Sequence, residues 1–310
     1  MKITRLITII IIMLTICSCK SEEIVSVEIL KNRALGGDKA AIKSLINLYD
    51  ADDIKTLSDS YKAILEVKVP AVSTLLTELK TATGTKREYI IASLGMIKTK
   101  DAVAPLIAIL KGTGTRRYVA AFALGQINDN RGARALIDAL DDPDPEVKKY
   151  AAIALIKNPD GDKSAEADKI DIIGELIKFI SRRDVSDKDY ALSVIGELKD
   201  KRAVKAVIRE VDGKSKAQAI WALGKIKDER AVETVITKLK DTDWKIRVAA
   251  ARSLGSIHSD KAISAIEVNL EDENVFVREW AARALEDITG EDYKYRRENG
   301  EYEIPTSLYR

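Results

Sequence analysis

Arg247-Val248-Ala249-Ala250-Ala251-Arg252-Ser253-Leu254-Gly255 is a sentence this chain writes more than once. It returns as Arg117-Tyr118-Val119-Ala120-Ala121-Phe122-Ala123-Leu124-Gly125, and as Arg278-Glu279-Trp280-Ala281-Ala282-Arg283-Ala284-Leu285. The central position recurs at Leu94, Leu124, Leu155, Ile195, Leu223, Leu254 and Leu285, in steps of 30, 31, 40, 28, 31 and 31 residues. A near-constant step of about 30 residues marks an array of small structural units that each contact only their neighbours. Such arrays more often bind than catalyse.

Each unit holds two amphipathic helical patterns. The first has apolar residues at helical spacing, as in Val232, Val235, Ile236 and Leu239, or Val103, Leu106, Ile107 and Leu110. Asp129, Asp200, Asp228 and Ser259 stand before these runs as helix caps. The second is the Ala-rich segment, preceded by Thr83, Thr113, Asp144, Asp243 or Asn274, with Pro145 at a first-turn position. Small Ala120, Ala151, Ala250 and Ala281 let neighbouring helices come close, and Gly95, Gly125, Gly196, Gly224 and Gly255 are read as the turn into the next unit. No strand pattern is evident.

This pattern resembles HEAT repeats of the short, phycobilisome-lyase type over roughly residues 60–290, with a degenerate unit before it at Leu35-Gly36, Ile42, Leu45 and Ile46. The resemblance implies an all-α fold, a right-handed α-solenoid of about eight helix pairs. The single long step falls on an inserted segment, 158–169. Its acidic residues miss the EF-hand spacing, because the sixth position from Asn158 is Lys163 and the twelfth is Lys169, so it is read as a solvated loop and no metal is expected.

The N-terminus reads as an address. A short basic start precedes an apolar run from Leu6 to Cys17, too short for a bilayer-spanning helix, which needs about 18 or more apolar residues. Ile16-Cys17-Ser18-Cys19 resembles the bacterial lipobox, which implies lipidation of Cys19 after removal of residues 1–18. Residues 19–30 would then be a tether, 31–289 the solenoid (31–60 degenerate) and 290–310 a charged, Tyr-rich tail capping the last unit. Such a chain belongs in the bacterial cell envelope, held by lipid at the outer membrane or the periplasmic face of the inner one. Lys20 after the cysteine would favour the outer membrane under enterobacterial sorting.

Composition narrows the chemistry. Lys and Arg number 51 against 49 Asp and Glu, and without Lys2 and Arg5 the balance is 49 to 49, so no nucleic-acid partner is advertised. Beyond Cys17 and Cys19 there is no cysteine, and His258 is the one histidine. Deoxyhypusine hydroxylase shares the repeat but holds its irons with His-Glu pairs, which this chain lacks; bilin lyases work in a different compartment. No catalytic residue, metal or cofactor is assigned, and no enzyme activity is expected.

Columns that vary between units are free of the core. Five before the central Leu stand Tyr89, Val119, Tyr150, Tyr190, Gln218, Ala249 and Trp280; two before it stand Ala92, Phe122, Ile153, Ser193, Trp221, Arg252 and Arg283. The two columns share a helical face. In HEAT folds the second helix lines the concave side, which makes Tyr89, Phe122, Tyr150, Tyr190, Trp221, Trp280, Arg252 and Arg283 the candidate partner-binding residues. Packing between repeats is the competing role for any one of these aromatics. A basic column, Arg87, Arg117, Lys148, Lys188, Lys216, Arg247 and Arg278, is read chiefly as pairing with Asp142, Glu210, Asp241 and Asp272, and otherwise as an anion-binding ladder. The expected function is a membrane-anchored scaffold or adaptor holding an envelope protein or peptide. The alternative is an envelope enzyme or lyase-like accessory acting on glycan, lipid or protein.

Overall fold

A computed structural model describes residues 26–158, 170–185 and 187–305. The proposed signal segment, Cys19 and nearly all of the 158–169 insertion lie outside the described residues. The chain divides into two compact units, Met1–Thr99 and Lys100–Arg310. Among the described residues no helix is long and apolar enough to cross a membrane.

In the first unit α1 (Val27–Leu35) precedes two helix pairs, α2/α3 (Lys39–Asn47, Ile54–Val67) and α4/α5 (Val72–Leu79, Gly84–Ile97). The second unit holds six pairs: α6/α7 (Val103–Lys111, Tyr118–Ile127), α8/α9 (Asn130–Asp138, Pro145–Lys157), α10/α11 (Ile172–Ile180, Asp189–Leu198), α12/α13 (Val204–Ile208, Lys216–Ile226), α14/α15 (Val232–Lys238, Trp244–Ile257) and α16/α17 (Ile263–Val268, Val275–Thr289). Each first helix packs on its own second helix, and the second helices pack on one another in series from α7 to α17. An all-α array of helix pairs is thus what the 30-residue period encodes.

The repeated Leu is the reason the pairs hold. Leu94 in the first unit and Leu124, Leu155, Ile195, Leu223, Leu254 and Leu285 in the second are at most 2% exposed. Burying one such side chain stabilises by roughly 1.5–3 kcal/mol. The column extends one step further back than the sequence showed, to fully buried Ile64 on α3. The Leu35-Gly36 match is out of register: Leu35 is 51% exposed, while neighbouring Ala34 is buried.

Capping follows the sequence in most places. The carboxylates of Asp129, Asp144 and Asp243 and the amide oxygen of Asn274 accept hydrogen bonds from backbone N–H groups two residues on, at 2.9–3.0 Å. Asp200 and Asp228 bind Arg202 N and Arg230 N in the same way, but open 3-10 turns that continue into α12 and α14. Ser259 makes no capping bond. Thr113 is not a cap, because α7 begins only at Tyr118, after Arg117.

The glycines correct the sequence reading. Gly125, Gly196, Gly224 and Gly255 are buried inside helices and do not make the turn. In the glycine-bearing second helices the left-handed residue that ends the helix comes three positions later, at Lys98, Asn128, Lys199, Lys227 and His258, with φ of 55–60°. In the second unit the glycines are where adjacent second helices touch. A Cβ on Gly125 would lie 2.5 Å from Ala154 Cβ, one on Gly224 2.8 Å from Ser253 Cα, and one on Gly255 3.0 Å from Ala284 Cα.

The basic column forms a series of ion pairs. Arg117 grips both carboxylate oxygens of Asp142, and Arg247 does the same to Asp272, at 2.8 Å each. Lys148 meets Asp187 at 2.7 Å, Lys188 meets Glu210 at 2.9 Å, and Lys216 meets Asp241 at 3.0 Å. Each cation on a second helix therefore holds the turn of the following pair. The carboxylate also shapes that turn, as Asp142, Asp241 and Asp272 each accept from the N–H two residues on. In the first unit Lys86 reaches backwards instead, to Asn47 and to Glu78.

Arg278, on α17, is followed by no further helix pair among the described residues. Instead its guanidinium donates to the carbonyls of Arg296 (2.6 Å), Asp272 (2.7 Å) and Glu273 (3.0 Å). Arg296 sits in a two-stranded antiparallel hairpin, β1 (Tyr295–Arg296) and β2 (Tyr302–Glu303), which the sequence reading did not anticipate. Its Tyr295 is buried against the end of the array. A carbonyl here takes the place that a carboxylate fills in earlier repeats.

Candidate functional site

The variable columns of the second helices are half-buried where they carry aromatics: Tyr89, Phe122, Tyr150, Tyr190, Trp221 and Trp280 are neither sealed nor fully open. The structure sorts them into separate groups. Tyr89 belongs to the first unit, where it packs on Tyr49 and Tyr61 with ring centroids 5.5 and 5.3 Å away. Tyr49 is fully buried and its hydroxyl is bonded to Ser93 at 2.9 Å; burial pushes its phenol well above the usual range. Tyr89 is thus largely a packing residue.

In the second unit a first group lies on α7 and α9. Tyr150 stacks on Tyr118 at 5.2 Å and meets Phe122 edge-on at 6.4 Å. Tyr118 was missed by the column reading, although it stands four residues before Phe122 and so on the same helical face. Tyr190 follows on α11 without a ring partner among the described residues. Next to it the row turns polar, with Gln218 donating to Ser193 Oγ at 2.9 Å.

The second group lies on α13, α15 and α17. Trp221 packs against Gly196 of α11: two of its ring carbons are 2.6 and 3.2 Å from where a Cβ on that glycine would be. Lys225 lies over the Trp221 ring at 5.3 Å and is paired with Glu197 at 3.0 Å. Trp280 carries two guanidinium groups, Arg252 at 4.4 Å and Arg283 at 4.8 Å from its ring centroid. Such cation–π contacts contribute about 0.5–1 kcal/mol each at exposed sites and fix the orientation of both partners. Arg283 is further held by Glu279 at 2.6 Å. Between α13 and α15 a cleft of about 130 Å³ is lined by Trp221, Gly224, Lys225, Ala249, Arg252, Ser253 and Ser256.

A further exposed aromatic pair lies at the starts of α15 and α17. Trp244 (36% exposed) and Phe276 (51%) stack at 5.5 Å. They sit nine or ten residues before the central Leu, outside the two columns read from sequence. His258 is exposed and serves as the left-handed cap of α15. Among the described residues no group of three or more His, Cys, Asp or Glu side chains is placed to hold a metal ion.

Serial helix pairs with a laterally exposed row on the second helices define a helical-repeat protein. The family model for HEAT repeats matches residues 72–156 and 204–286, more than half of the chain, and the chain belongs to that family. No curated protein matches its sequence. Several solved structures match the chain over most of its length. An engineered protein is 21% identical, with 87% of this chain and 86% of that one covered and a TM-score of 0.42. Human deoxyhypusine hydroxylase in complex with glycerol is 17% identical, with 82% and 97% covered and a TM-score of 0.35. The CpcE–CpcF complex of phycocyanin lyase from Nostoc sp. PCC7120 is 21% identical, with 70% and 86% covered and a TM-score of 0.37.

Proposed function

We propose that this protein is a scaffold or adaptor that binds a protein or peptide partner along the second helices of its larger unit, and that it is tethered to a bacterial membrane through a lipid on Cys19. One observation carries the binding half: Trp221 and Trp280 are fixed in place by Gly196 and by two guanidinium groups, yet keep part of their surface open beside a cleft. Rigid, half-exposed aromatics bury much area at little entropic cost when a partner arrives. In the larger unit five cations of the basic column are held by carboxylates and Arg278 by carbonyls, which favours the aromatic row over that column as the recognition surface. No cofactor enters this reading.

Affinity capture from envelope extract, followed by mass spectrometry, tests it. The double variant Trp221→Ala/Trp280→Ala is expected to lose the partners captured by the natural protein, because truncating central aromatic anchors costs about 2 kcal/mol or more each. Retention of every partner by a variant with unchanged circular dichroism would refute the site. The anchor has its own test. Radiolabelled palmitate is expected to label the natural chain in a bacterial host and not Cys19→Ala, and label persisting in that variant would rule the anchor out.

A further inference from the structure

The charges around the Trp221 cleft do not balance one another equally. Lys225 has Glu197, and Arg283 has Glu279. Arg252, exposed at the rim of the same cleft, has no carboxylate partner among the described residues, and its guanidinium lies on the Trp280 ring. That stacking matters. A guanidinium held against a ring face keeps N–H donors at its edge with which it can grip a carboxylate by two parallel hydrogen bonds. Elsewhere in this unit, arginines of the basic column use the same fork on Asp142 and Asp272, so an unfilled fork at Arg252 departs from the local pattern.

The neighbouring cleft has a different character. Its wall includes the Trp221 ring with Gly224 and Ala249, and of its two serines Ser253 donates its hydroxyl to Ile220 O at 2.7 Å. A volume of about 130 Å³ is close to that of an engineered apolar cavity of about 150 Å³ that admits a benzene ring.

Resting on the proposed adaptor role, we infer that the segment recognised here is an acidic–apolar peptide: an Asp or Glu carboxylate seated on Arg252, and an apolar side chain close to it in the Trp221 cleft. A cation without a carboxylate partner beside a cleft of side-chain size with an aromatic wall matches one carboxylate and one hydrophobic residue. A polyanion or an anionic lipid surface would need several free cations, and the other cations of this unit's basic column are spent on carboxylates, turns or the hairpin.

A display library of random twelve-residue peptides, panned against the full chain, tests this. Selected peptides are expected to carry an Asp or Glu within a few residues of a Phe, Leu or Trp. Their affinity, measured by fluorescence anisotropy, should fall about tenfold in Arg252→Gln, the worth of one charge-assisted hydrogen bond, and about tenfold in Trp221→Ala. Replacing the peptide acid with its amide should cost as much in the natural protein and almost nothing in Arg252→Gln. Selection of peptides without acids that still depend on Trp221 would overturn this inference and leave the adaptor surface standing. Peptides indifferent to Trp221, Trp280 and Arg252 alike would overturn the surface itself. Binding of phosphatidylserine vesicles or single-stranded DNA that is lost in Arg252→Gln, with no peptide selected, would assign the site to another ligand and overturn the inference as well.

Discussion

Gly125→Val is expected to destabilise the larger unit by about 3 kcal/mol, the upper end of the cost of overpacking a close-packed site. Even the first added carbon has no room: it would lie 2.5 Å from Ala154 Cβ and 3.0 Å from Ala154 Cα, on the next second helix. Neither atom belongs to a flexible side chain, so the two helices must separate. Helix propensity argues the other way, since replacing glycine by alanine inside a helix gains about 1 kcal/mol. The clash is expected to win. For a unit of this size the midpoint of thermal unfolding should drop by about 10 °C in Gly125→Val, read by circular dichroism. Two companions locate the cause. Gly125→Ala should be destabilising alone and substantially restored by Ala154→Gly, which removes the atom it strikes. Gly114→Ala, where an added Cβ meets nothing within 4 Å, should be close to neutral. If Gly125→Ala proved stabilising, the close approach of α7 and α9 would be wrong.

The same glycines show where sequence reading reaches its limit. A glycine after the last apolar residue of a helix is read as its left-handed terminator, because that is the commonest reason for one to stand there. Here the terminator is a lysine, asparagine or histidine three residues on, and the glycine serves a neighbour about 29 residues away in sequence. Contacts between repeats are invisible within any one repeat. What could be read was whatever the period exposes: the central Leu, the small Ala positions, most of the caps, and the pairing of Arg117 with Asp142, Lys216 with Asp241 and Arg247 with Asp272. Asp187 as the partner of Lys148 was not legible, because the inserted residues move it 39 positions away. The hairpin was missed because two-residue strands have no measurable period, although Asn299-Gly300 is a turn signal. As for the candidate surface, the columns found the right helices. They could not show that Tyr89 packs inside its own unit, that Trp221 needs Gly196 beneath it, or that Arg252, unlike Arg283, has no carboxylate partner among the described residues.

Asp272→Ala is expected to cost about 3 kcal/mol, because it leaves a buried guanidinium without its charge partner. Arg247 is 7% exposed and spans Asp272 with two 2.8 Å hydrogen bonds; its other bonds go to the carbonyls of Asp241 and Thr242 and, at 3.4 Å, to Glu273. The substitution also removes the acceptor for Asn274 N, which shapes the turn into α17. Solvation separates this pair from the other carboxylate in reach. The Glu273 side chain is 87% exposed, so Glu273→Ala should cost under about 0.5 kcal/mol even though it touches the same arginine. Salt should change little, since a buried pair is weakly screened. Adding Arg247→Met to Asp272→Ala should recover part of the loss, because an apolar side chain does not suffer from the missing carboxylate. The location of the damage is as diagnostic as its size. In an array where each pair contacts only its neighbours, cutting the link between α15 and the turn before α17 should release α16, α17 and the hairpin first. Hydrogen exchange should therefore quicken across Ile263–Glu303 in Asp272→Ala while α7 to α13 keep their protection. Uniform acceleration across the unit would mean that the ion-pair series does not act link by link.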